Sequence, residues 1–231
     1  MKFIKKTREP ESFSSWKEMA NADWQPSWNN LRDDNTNTPR FTPKADLHKS
    51  LISDQGYICC YCGRRIYKDS SHIEHFKPRQ KFPALSLDYS NLLASCPGYL
   101  EEEDSKALTK AQLPQSHCGQ KKGNWYDPQL TVSPLIESCE EYFRYTASGE
   151  ILPASDPNIH AAAKSTISEL GLDHPGLERA RKKVIEEILF LIEGLDSKEI
   201  EELISIYEEA DERGEYVRFC STILVFLKSL I

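Results

Sequence analysis

The cysteines at positions 59 and 62 constrain the fold of this chain more than any other feature of its sequence. They are separated by two residues and followed by Gly63, as in a zinc knuckle, where backbone N–H groups turn toward a pair of thiolates. A lone pair of this kind also occurs as a redox motif. The seven cysteines are an odd number, and the amino-terminal residues lack the apolar run of a secretory signal, so we favour metal ligation over disulfides.

A second pair of thiolates is needed to complete a zinc site, and in this sequence it is divided between Cys96 and Cys118. Four thiolates around Zn2+ form a closed tetrahedral centre with a structural role. We therefore predict one structural Zn2+ bound by Cys59, Cys62, Cys96 and Cys118. Cys60 and His117, each adjacent to one of these cysteines, are the alternative ligands if the pattern is displaced by one residue.

The distribution of charge limits the surfaces that can meet nucleic acid. The net charge of -7 has the wrong sign for a protein that coats nucleic acid. From Arg64 to Lys81, however, six basic residues stand against two acidic ones, whereas acidic residues outnumber basic ones roughly two to one from Asp173 to Glu215. The first segment can therefore face phosphates, and the second cannot.

The spacing of apolar residues and turn formers predicts an α+β chain with its helices concentrated toward the carboxyl end. Three or four amphipathic helices are expected after residue 156, where Gly171, Gly194 and Gly214 mark their ends. The longest apolar run is interrupted by Lys228 and is too short to span a bilayer. We therefore expect a soluble, cytoplasmic protein.

Shorter elements are expected before this helical region. Residues 1–44 predict an irregular arm with one short helix, and residues 45–56 predict a helix that ends at a glycine. The further elements, in order, are a strand, knuckle and strand at 57–67, a short strand at 71–76, a short helix or turn at 88–96, an acidic loop at 98–116 and a hairpin at 141–153.

Four motifs in a fixed order give the chain a resemblance to a known family. They are Cys-x-Tyr-Cys-Gly, Glu-His-Phe-x-Pro, Ser-Asn-Leu-Leu-x-x-Cys and Cys-Gly-x-x-Lys-Gly, and they extend over about residues 57–127. This set resembles the zinc-containing HNH nucleases. The segments MKFIKKTREPESF, IEHFKP and ISELGLDHPGLERAR further resemble the HNH effector subunit of Septu anti-phage systems, PtuB, which also occurs with some retrons.

The resemblance implies a small ββα-metal (HNH) zinc-finger core embedded in a mostly α-helical chain. The implied parts are an N-terminal arm and helix at 1–56, an HNH nuclease domain with its zinc knuckle at 57–153, and a helical, partner-binding region at 154–231. The implied partner is an ABC-type ATPase subunit (PtuA-like). The acidic, amphipathic character of the last region is also compatible with a self-contained helical bundle.

The resemblance also implies roles for residues of the Glu-His-Phe-x-Pro segment and its surroundings. His75 matches the general base that takes a proton from the attacking water, a task suited to a side chain with an ordinary pKa of about 6.5. Glu74 matches the acidic ligand of a catalytic Mg2+ or Mn2+, and Asn91 matches the asparagine that holds the loop carrying the base. His72 is expected either to bind this metal or to orient the site.

One position departs from the family pattern. Many members carry His or Asn directly after the last knuckle cysteine as the third ligand of the catalytic metal, and this chain carries Gly119 there. The candidates to replace that ligand are Asn124, Asp127, His117 and Gln120.

Together, these implied roles predict hydrolysis of phosphodiester bonds in nucleic acid. DNA is the expected substrate. One alternative substrate is an RNA such as tRNA, because attack by water needs no 2′-hydroxyl. The other alternative is that the chain is a catalytically inactive zinc module that only binds. Five basic residues around the strand are expected to hold phosphates, although each taken alone fits ordinary surface charge: Lys77, Arg79, Lys81, Lys121 and Lys122.

Overall fold

The computed structural model of this chain describes residues 1–34, 41–99 and 116–231. Within these ranges it combines helices with two small antiparallel sheets, in agreement with the predicted α+β class. The helices are α1 (Glu11–Glu18), α2 (Pro43–Asp54), α3 (Cys118–Lys122), α4 (Pro157–Leu170), α5 (Pro175–Leu191), α6 (Ser197–Glu208) and α7 (Cys220–Lys228). The strands are β1 (His72–His75), β2 (Leu92–Ser95), β3 (Phe143–Tyr145) and β4 (Ile151–Pro153).

Several predicted elements are confirmed by these bounds. The helices expected after residue 156 are present as α4 to α7, and the hairpin expected at 141–153 is formed by β3 and β4. Most of the acidic loop predicted at 98–116 lies outside the described residues. Across the described ranges, no helix has both the length and the apolar character needed to cross a membrane. Short 3-10 turns occur at Trp28–Asn30, Lys68–Ser70, Pro83–Leu85, Tyr89–Asn91 and Glu137–Tyr142.

Strands β1 and β2 form an antiparallel pair in which His75 lies opposite Leu92. The prediction of a short helix or turn over residues 88–96 is only partly right, because a 3-10 turn at Tyr89–Asn91 is followed at once by strand β2. Residues 92–94 are completely buried. A short apolar run that is covered on both faces is typical of a buried strand, and periodicity alone cannot distinguish it from a helix.

The segment 57–67 is a tight knuckle rather than two strands joined by a knuckle. Its two sides meet only in an isolated bridge between Ile58 and Arg65. Inside the turn, the N–H group of Gly63 donates to the carbonyl oxygen of Cys59 at 3.0 Å. The ladder does not extend outward from this bridge, because the N–H group of Tyr57 donates to the carbonyl oxygen of Ile52 at 3.0 Å, and the predicted strands do not form.

The side chain of Gln55 caps the free edge of β2. Its Nε2 donates to the carbonyl oxygen of Ala94 at 2.8 Å, and the N–H group of Ala94 donates to Gln55 Oε1 at 2.7 Å. Gln55 is buried at the end of α2, where unpaired strand groups would be costly. These two bonds therefore hold α2 against the strand pair.

The C-terminal helical region packs against the knuckle. Just before α7, the N–H group of Phe219 donates to the carbonyl oxygen of Gly63 at 2.7 Å. The buried apolar residues form one cluster that extends from Met1 to Leu227. The boundary predicted near residue 154 therefore marks a change in sequence pattern, while the residues on both sides of it share one core.

The N-terminal arm lies along the β1–β2 pair. Lys6 Nζ donates to the carbonyl oxygen of Leu92 at 3.1 Å and lies 3.4 Å from the carboxylate of Asp54. Farther along, the 3-10 turn that begins at Trp28 sets its indole against the ring of His75, with ring centroids 4.4 Å apart. An arm that was expected to be irregular thus forms a wall beside β1.

The turn of the β3–β4 hairpin is held against helix α5. Gly149 has a φ of +86°, and its carbonyl oxygen accepts a hydrogen bond from Arg181 Nε at 2.6 Å. A Cβ at this position would collide with the carbonyl oxygen of Glu178 and would lie 2.6 Å from Lys182 N. Only glycine allows the two backbones to approach this closely.

We expect Gly149→Ala to destabilise the protein through this backbone contact. An alanine in a left-handed conformation costs about 1–2 kcal/mol, and the collision adds about 1–3 kcal/mol. Gly194→Ala is the matched control, because Gly194 also has a φ of +86° and no atom lies within 4 Å of the position of its Cβ. Urea unfolding should give a lower midpoint for Gly149→Ala than for Gly194→Ala. Equal midpoints would contradict the close packing of the hairpin on α5.

Candidate metal centre and active site

The four cysteines that were predicted to bind zinc converge on one buried point. Their Sγ atoms all lie within 4.8 Å of one another, and those of Cys62 and Cys96 are 3.9 Å apart. Sulfur ligands at about 2.3 Å from a central Zn2+ lie about 3.8 Å apart at the corners of a tetrahedron. The donor chemistry and the spacing therefore fit a Zn2+ ion. The four candidate ligands are Cys59, Cys62, Cys96 and Cys118.

Three separate segments of the chain supply these thiols. Cys59 and Cys62 belong to the knuckle, Cys96 follows β2, and Cys118 begins α3. The φ of Cys118 is +56°, a conformation that is unfavourable for a residue with a side chain. The cluster thus joins knuckle, strand and helix, and it does so at the expense of local backbone strain.

Hydrogen bonding among the thiols changes their acidity. Burial opposes the ionisation of Cys59, but hydrogen bonds from Cys118 and the other thiols hold the pKa of Cys59 well below its usual range. Burial and the neighbouring thiols raise the pKa of Cys118 well above its usual range. Ionisation of all four thiols would place like charges side by side in a buried site, so a bound cation is needed to stabilise them.

The alternative ligands, Cys60 and His117, lie outside this group of four. His117 is fully buried, and its Nδ1 lies 3.2 Å from Cys118 Sγ and 3.8 Å from Cys96 Sγ. Burial lowers the pKa of His117 to about 4, so its ring is neutral at pH 7. A neutral ring with its proton on Nδ1 donates to the thiolates, and such a donor stabilises the charge of a metal centre without binding the metal.

Glu74 projects from β1 into a buried polar cluster. Its Oε1 accepts hydrogen bonds from Lys122 Nζ at 2.8 Å and from the hydroxyl of Tyr61 at 3.2 Å. Its Oε2 lies 3.7 Å from His72 Nε2. Burial alone would raise the pKa of Glu74, but His72 and Lys122 outweigh burial and the pKa is lowered. The carboxylate is therefore ionised, with Oε1 occupied and Oε2 facing His72.

Gly119, the position that departs from the family pattern, lies next to this free oxygen. A Cβ at Gly119 would lie 2.6 Å from Glu74 Oε2 and 3.0 Å from His72 Nε2. Glycine thus leaves the space beside both atoms open. Two ligand atoms at about 2.1 Å from one Mg2+ can be up to about 4.2 Å apart. Adjacent ligands of an octahedral ion lie about 3.0 Å apart, so the 3.7 Å between Oε2 and Nε2 would have to shorten by about 0.7 Å for the two atoms to share one ion.

The other residues proposed as ligands of this ion are exposed or make hydrogen bonds to other groups. Asp127 Oδ1 accepts hydrogen bonds from two backbone N–H groups of the turn that follows it. Asn124 Nδ2 donates to Gln80 Oε1 at 2.7 Å on the surface, and Gln120 is exposed. In the described part of the chain, no third His, Cys, Asp or Glu side chain forms a group with the two side chains of β1. An ion bound there would complete its coordination with water and substrate oxygens, as Mg2+ usually does.

His75 is anchored by a backbone carbonyl in the loop after β1. Its Nε2 lies 3.1 Å from the carbonyl oxygen of Ser86. Because a carbonyl can only accept, we assign the proton to Nε2, and Nδ1 keeps a free lone pair. Burial lowers the pKa of His75, so its ring is neutral at pH 7. Its Nδ1 is therefore able to accept a proton.

Asn91 closes the loop between β1 and β2. Its Nδ2 donates to the carbonyl oxygens of Lys77 at 3.0 Å and Leu85 at 3.1 Å. In return, the N–H group of Lys77 donates to Asn91 Oδ1 at 2.8 Å. Three hydrogen bonds from one buried side chain thus hold the loop that contains Ser86, the acceptor for His75.

Lys122 was expected on a phosphate-binding surface, and the structure corrects this expectation. Its side chain is buried, and its Nζ donates to the carbonyl oxygen of His75 at 2.9 Å as well as to Glu74. An ammonium that is enclosed and already bonded to two acceptors is not available to a phosphate. Lys122 instead neutralises the buried charge of Glu74.

The other predicted phosphate ligands lie at or near the surface. Lys77 is partly buried, with Nζ 5.8 Å from the centroid of the Tyr126 ring. Lys121 lies beside Gly171 at the end of α4, away from the loop that follows β1. The exposed members of the set are Arg79, Lys81 and Lys121.

Three contacts of this site were not predicted, and the sequence contains a signal for only one of them. Lys122 follows Gly119 by three residues, about one helical turn, so a helix there places both against β1. Tyr61 lies between the knuckle cysteines, and no sequence pattern indicates its hydrogen bond to Glu74. Trp28 lies in the arm, far from every motif, and no sequence signal indicates its contact with His75.

Comparison with known proteins relates the chain to a protein associated with a retron. No family model matches the chain. The chain is 33% identical over 154 residues to "Retron Vc95 putative HNH endonuclease" from Vibrio cholerae serotype O1 biovar El Tor. The matched region covers 62% of this chain and 68% of that protein.

We expect Cys96→Ser to remove the bound zinc and to destabilise the protein. Zinc binding contributes to folding, so a loss of about 3 kcal/mol or more should lower Tm by about 6–12 °C. Cys139→Ser is the matched control, because Cys139 is equally buried but lies outside the cluster. It should keep one zinc per chain in elemental analysis. Parent protein without zinc, or a Cys96→Ser variant that retains it, would contradict the zinc site.

Proposed function

This chain belongs to the HNH endonuclease family, and from that premise we propose that it is a metal-dependent endonuclease that hydrolyses phosphodiester bonds, with DNA as its expected substrate. The observation that carries the proposal is the geometry at β1, where Glu74 Oε2 lies beside His72 and Gly119 while the His75 ring is oriented by the carbonyl oxygen of Ser86. Phosphodiesters resist hydrolysis because water is a weak nucleophile and negative charge develops on the phosphate and leaving oxygens. A general base makes the water a better nucleophile, and a cation bound to a carboxylate offsets the developing negative charge.

His75 is proposed as the general base that removes a proton from the attacking water. Its Nδ1 would accept the proton while the Nε2–H group remains bonded to Ser86. That bond orients the imidazole and stabilises the imidazolium that forms. Asn91 supports this arrangement from a distance, because it holds the loop that carries Ser86.

Glu74 Oε2 and His72 Nε2 are the atoms proposed to hold the catalytic Mg2+ or Mn2+ beside Gly119. Bound there, the ion would supply positive charge to offset the charge that develops on the phosphate. Lys122 and Tyr61 hold Glu74 through Oε1 and leave Oε2 available. The carboxylate is thus oriented before any ion or substrate arrives.

The zinc proposed at the four cysteines has a structural role. Four thiolates leave no open position on the ion for substrate. Strands β1 and β2 contain four residues each and α3 contains five, so these elements cannot form a core by themselves. The binding energy of the ion is expected to contribute to their folding.

A role in anti-phage defence is part of the proposal. The name of the similar protein from Vibrio cholerae associates that protein with a retron. The resemblance to the Septu nuclease PtuB implies that an ABC-type ATPase subunit acts together with this chain. DNA is the expected substrate, and RNA such as tRNA is the alternative that the cleavage experiment below distinguishes.

The surface proposed for the ATPase lies on helices α5 and α6. Phe190 is 83% exposed and Ile206 is 69% exposed. Large exposed apolar side chains of this kind are common at protein interfaces. The acidic residues of the same helices make the surface unsuitable for nucleic acid, which favours a protein partner.

We expect His75→Ala to lower the cleavage rate by about 10²–10⁴-fold, the usual effect of losing a general base. Zinc content should not change, and the variant should remain folded. Cleavage would be measured on plasmid DNA and on total tRNA with Mg2+ or Mn2+, in the presence and absence of the ATPase subunit. His160→Ala is the matched control, because His160 is an exposed histidine of α4.

Each outcome of this experiment has a distinct meaning. Cleavage at the parent rate by His75→Ala would exclude the proposed base. Cleavage of tRNA but not of DNA would favour the alternative substrate. No cleavage of either polymer by the parent protein with its ATPase present would indicate an inactive zinc module. Omission of Mg2+ and Mn2+ should stop cleavage by the zinc-loaded protein, and addition of either ion should restore it.

We expect the double variant Phe190→Asp, Ile206→Asp to lose co-purification with the ATPase subunit. Both side chains are mainly exposed, so the changes should affect the surface and not the folding of the chain. Met19→Asp is the matched control, because Met19 is an exposed apolar residue of the N-terminal arm. Unchanged co-purification of the double variant would place the interface elsewhere.

A further inference from the structure

Trp28 joins the N-terminal arm to the ring of His75. The two ring centroids are 4.4 Å apart, and the rings are nearly perpendicular at 80°. The indole is only partly buried, and it is a common wall of two clefts of about 410 and 390 Å³. His72 lines the first cleft, and Ser86 lines the second. Both clefts therefore reach the proposed catalytic strand or its supporting loop at Trp28.

The first cleft combines the aromatic wall with basic groups. Lys44 and Lys68 line it together with Asp33 and Asp69. The carboxylate of Asp33 is already engaged, because its Oδ1 accepts a hydrogen bond from the N–H group of Lys44 at 2.9 Å. Pockets that bind small ligands measure about 300–1,000 Å³. The first cleft is therefore large enough for a single nucleotide.

The second cleft carries a guanidinium group. Arg79 lines it and donates from one nitrogen to Asn29 Oδ1 at 3.2 Å. An arginine has five N–H donors, and this side chain is exposed, so further donors are available to a phosphate. Both clefts that Trp28 lines therefore combine an aromatic residue with cationic groups.

We propose that Trp28 is a stacking platform for an unpaired nucleobase, so that the chain acts on nucleic acid that is single-stranded or locally unpaired beside the scissile phosphate. This inference rests on the proposed nuclease function and specifies its substrate. A phosphate that reaches Nδ1 of His75 brings its nucleoside close to the indole. The bases of an intact duplex are stacked and paired in its interior, and its outer face offers mainly sugar and phosphate. An intact duplex would therefore offer the indole no base to stack on, whereas an unpaired base can stack on it.

Binding without cleavage tests this inference directly. A labelled single-stranded oligonucleotide and a duplex of the same sequence would be titrated by fluorescence anisotropy without added Mg2+ or Mn2+, so that the zinc-loaded protein binds but does not cleave. Loss of one stacked base corresponds to about 5- to 150-fold weaker binding. We expect this loss for Trp28→Ala with the single strand only. Trp28→Phe should retain most of the affinity, because it retains an aromatic face.

Control variants separate stacking from general effects. Tyr99→Ala removes an exposed aromatic ring that lines neither cleft and should bind both oligonucleotides like the parent. If thermal unfolding shows that Trp28→Ala does not fold, the double variant Lys44→Ala, Lys68→Ala provides the second test. It should weaken single-strand binding and reduce its salt dependence. Lys198→Ala, at a lysine side chain that is 82% exposed on α6, should do neither.

Several results would overturn the inference. One is an equal loss of single-strand and duplex binding by Trp28→Ala, and another is no loss at all. Slower cleavage of both substrates with unchanged binding would mean that Trp28 only positions His75. If the parent cleaves nothing but Trp28→Ala still loses single-strand binding selectively, the proposed nuclease function fails and the stacking platform stands. A parent protein that binds neither oligonucleotide would exclude the stacking platform, while the cleavage assay decides the proposed nuclease function separately.

Discussion

Four buried thiols from three segments of this chain converge on one point. The knuckle, the end of β2 and the first turn of α3 meet at this cluster, although Cys59 and Cys118 are far apart in the sequence. Burying several like charges is unfavourable, so the arrangement depends on a cation that compensates them. The position of α3 against β1 follows from this constraint, and the surroundings of Glu74 follow from the position of α3.

Helix α3 connects the zinc cluster to the proposed active site. It begins at Cys118, and two of its next residues, Gly119 and Lys122, contact Glu74. Lys122 hydrogen-bonds to one carboxylate oxygen of Glu74, and Gly119 leaves room beside the other. Where many family members take a metal ligand from this helix, the proposed site takes its nitrogen ligand from His72 on β1. The loss of a side chain at Gly119 is thus compatible with an intact metal site.

The rest of the chain encloses this small core. The N-terminal arm brings Trp28 to His75, and the segment before α7 hydrogen-bonds to the knuckle at Gly63. A partner bound on α5 and α6 would therefore contact the same folded unit that carries the active site. This arrangement offers a physical route by which an ATPase could influence cleavage, because the two regions share one hydrophobic core.

The sequence by itself determined the α+β class, the C-terminal helices and the candidate zinc ligands, because ligand spacing and hydrophobic periodicity are properties of neighbouring residues. It did not reveal that β2 is a strand, since a short apolar run is ambiguous without its surroundings. Only the tertiary structure decided that Lys122 is buried and that Trp28 lies on His75. The partner of Lys122 is Glu74, 48 positions away. The environment of such a side chain depends on which distant segments the fold brings together, and that information is absent from the local pattern.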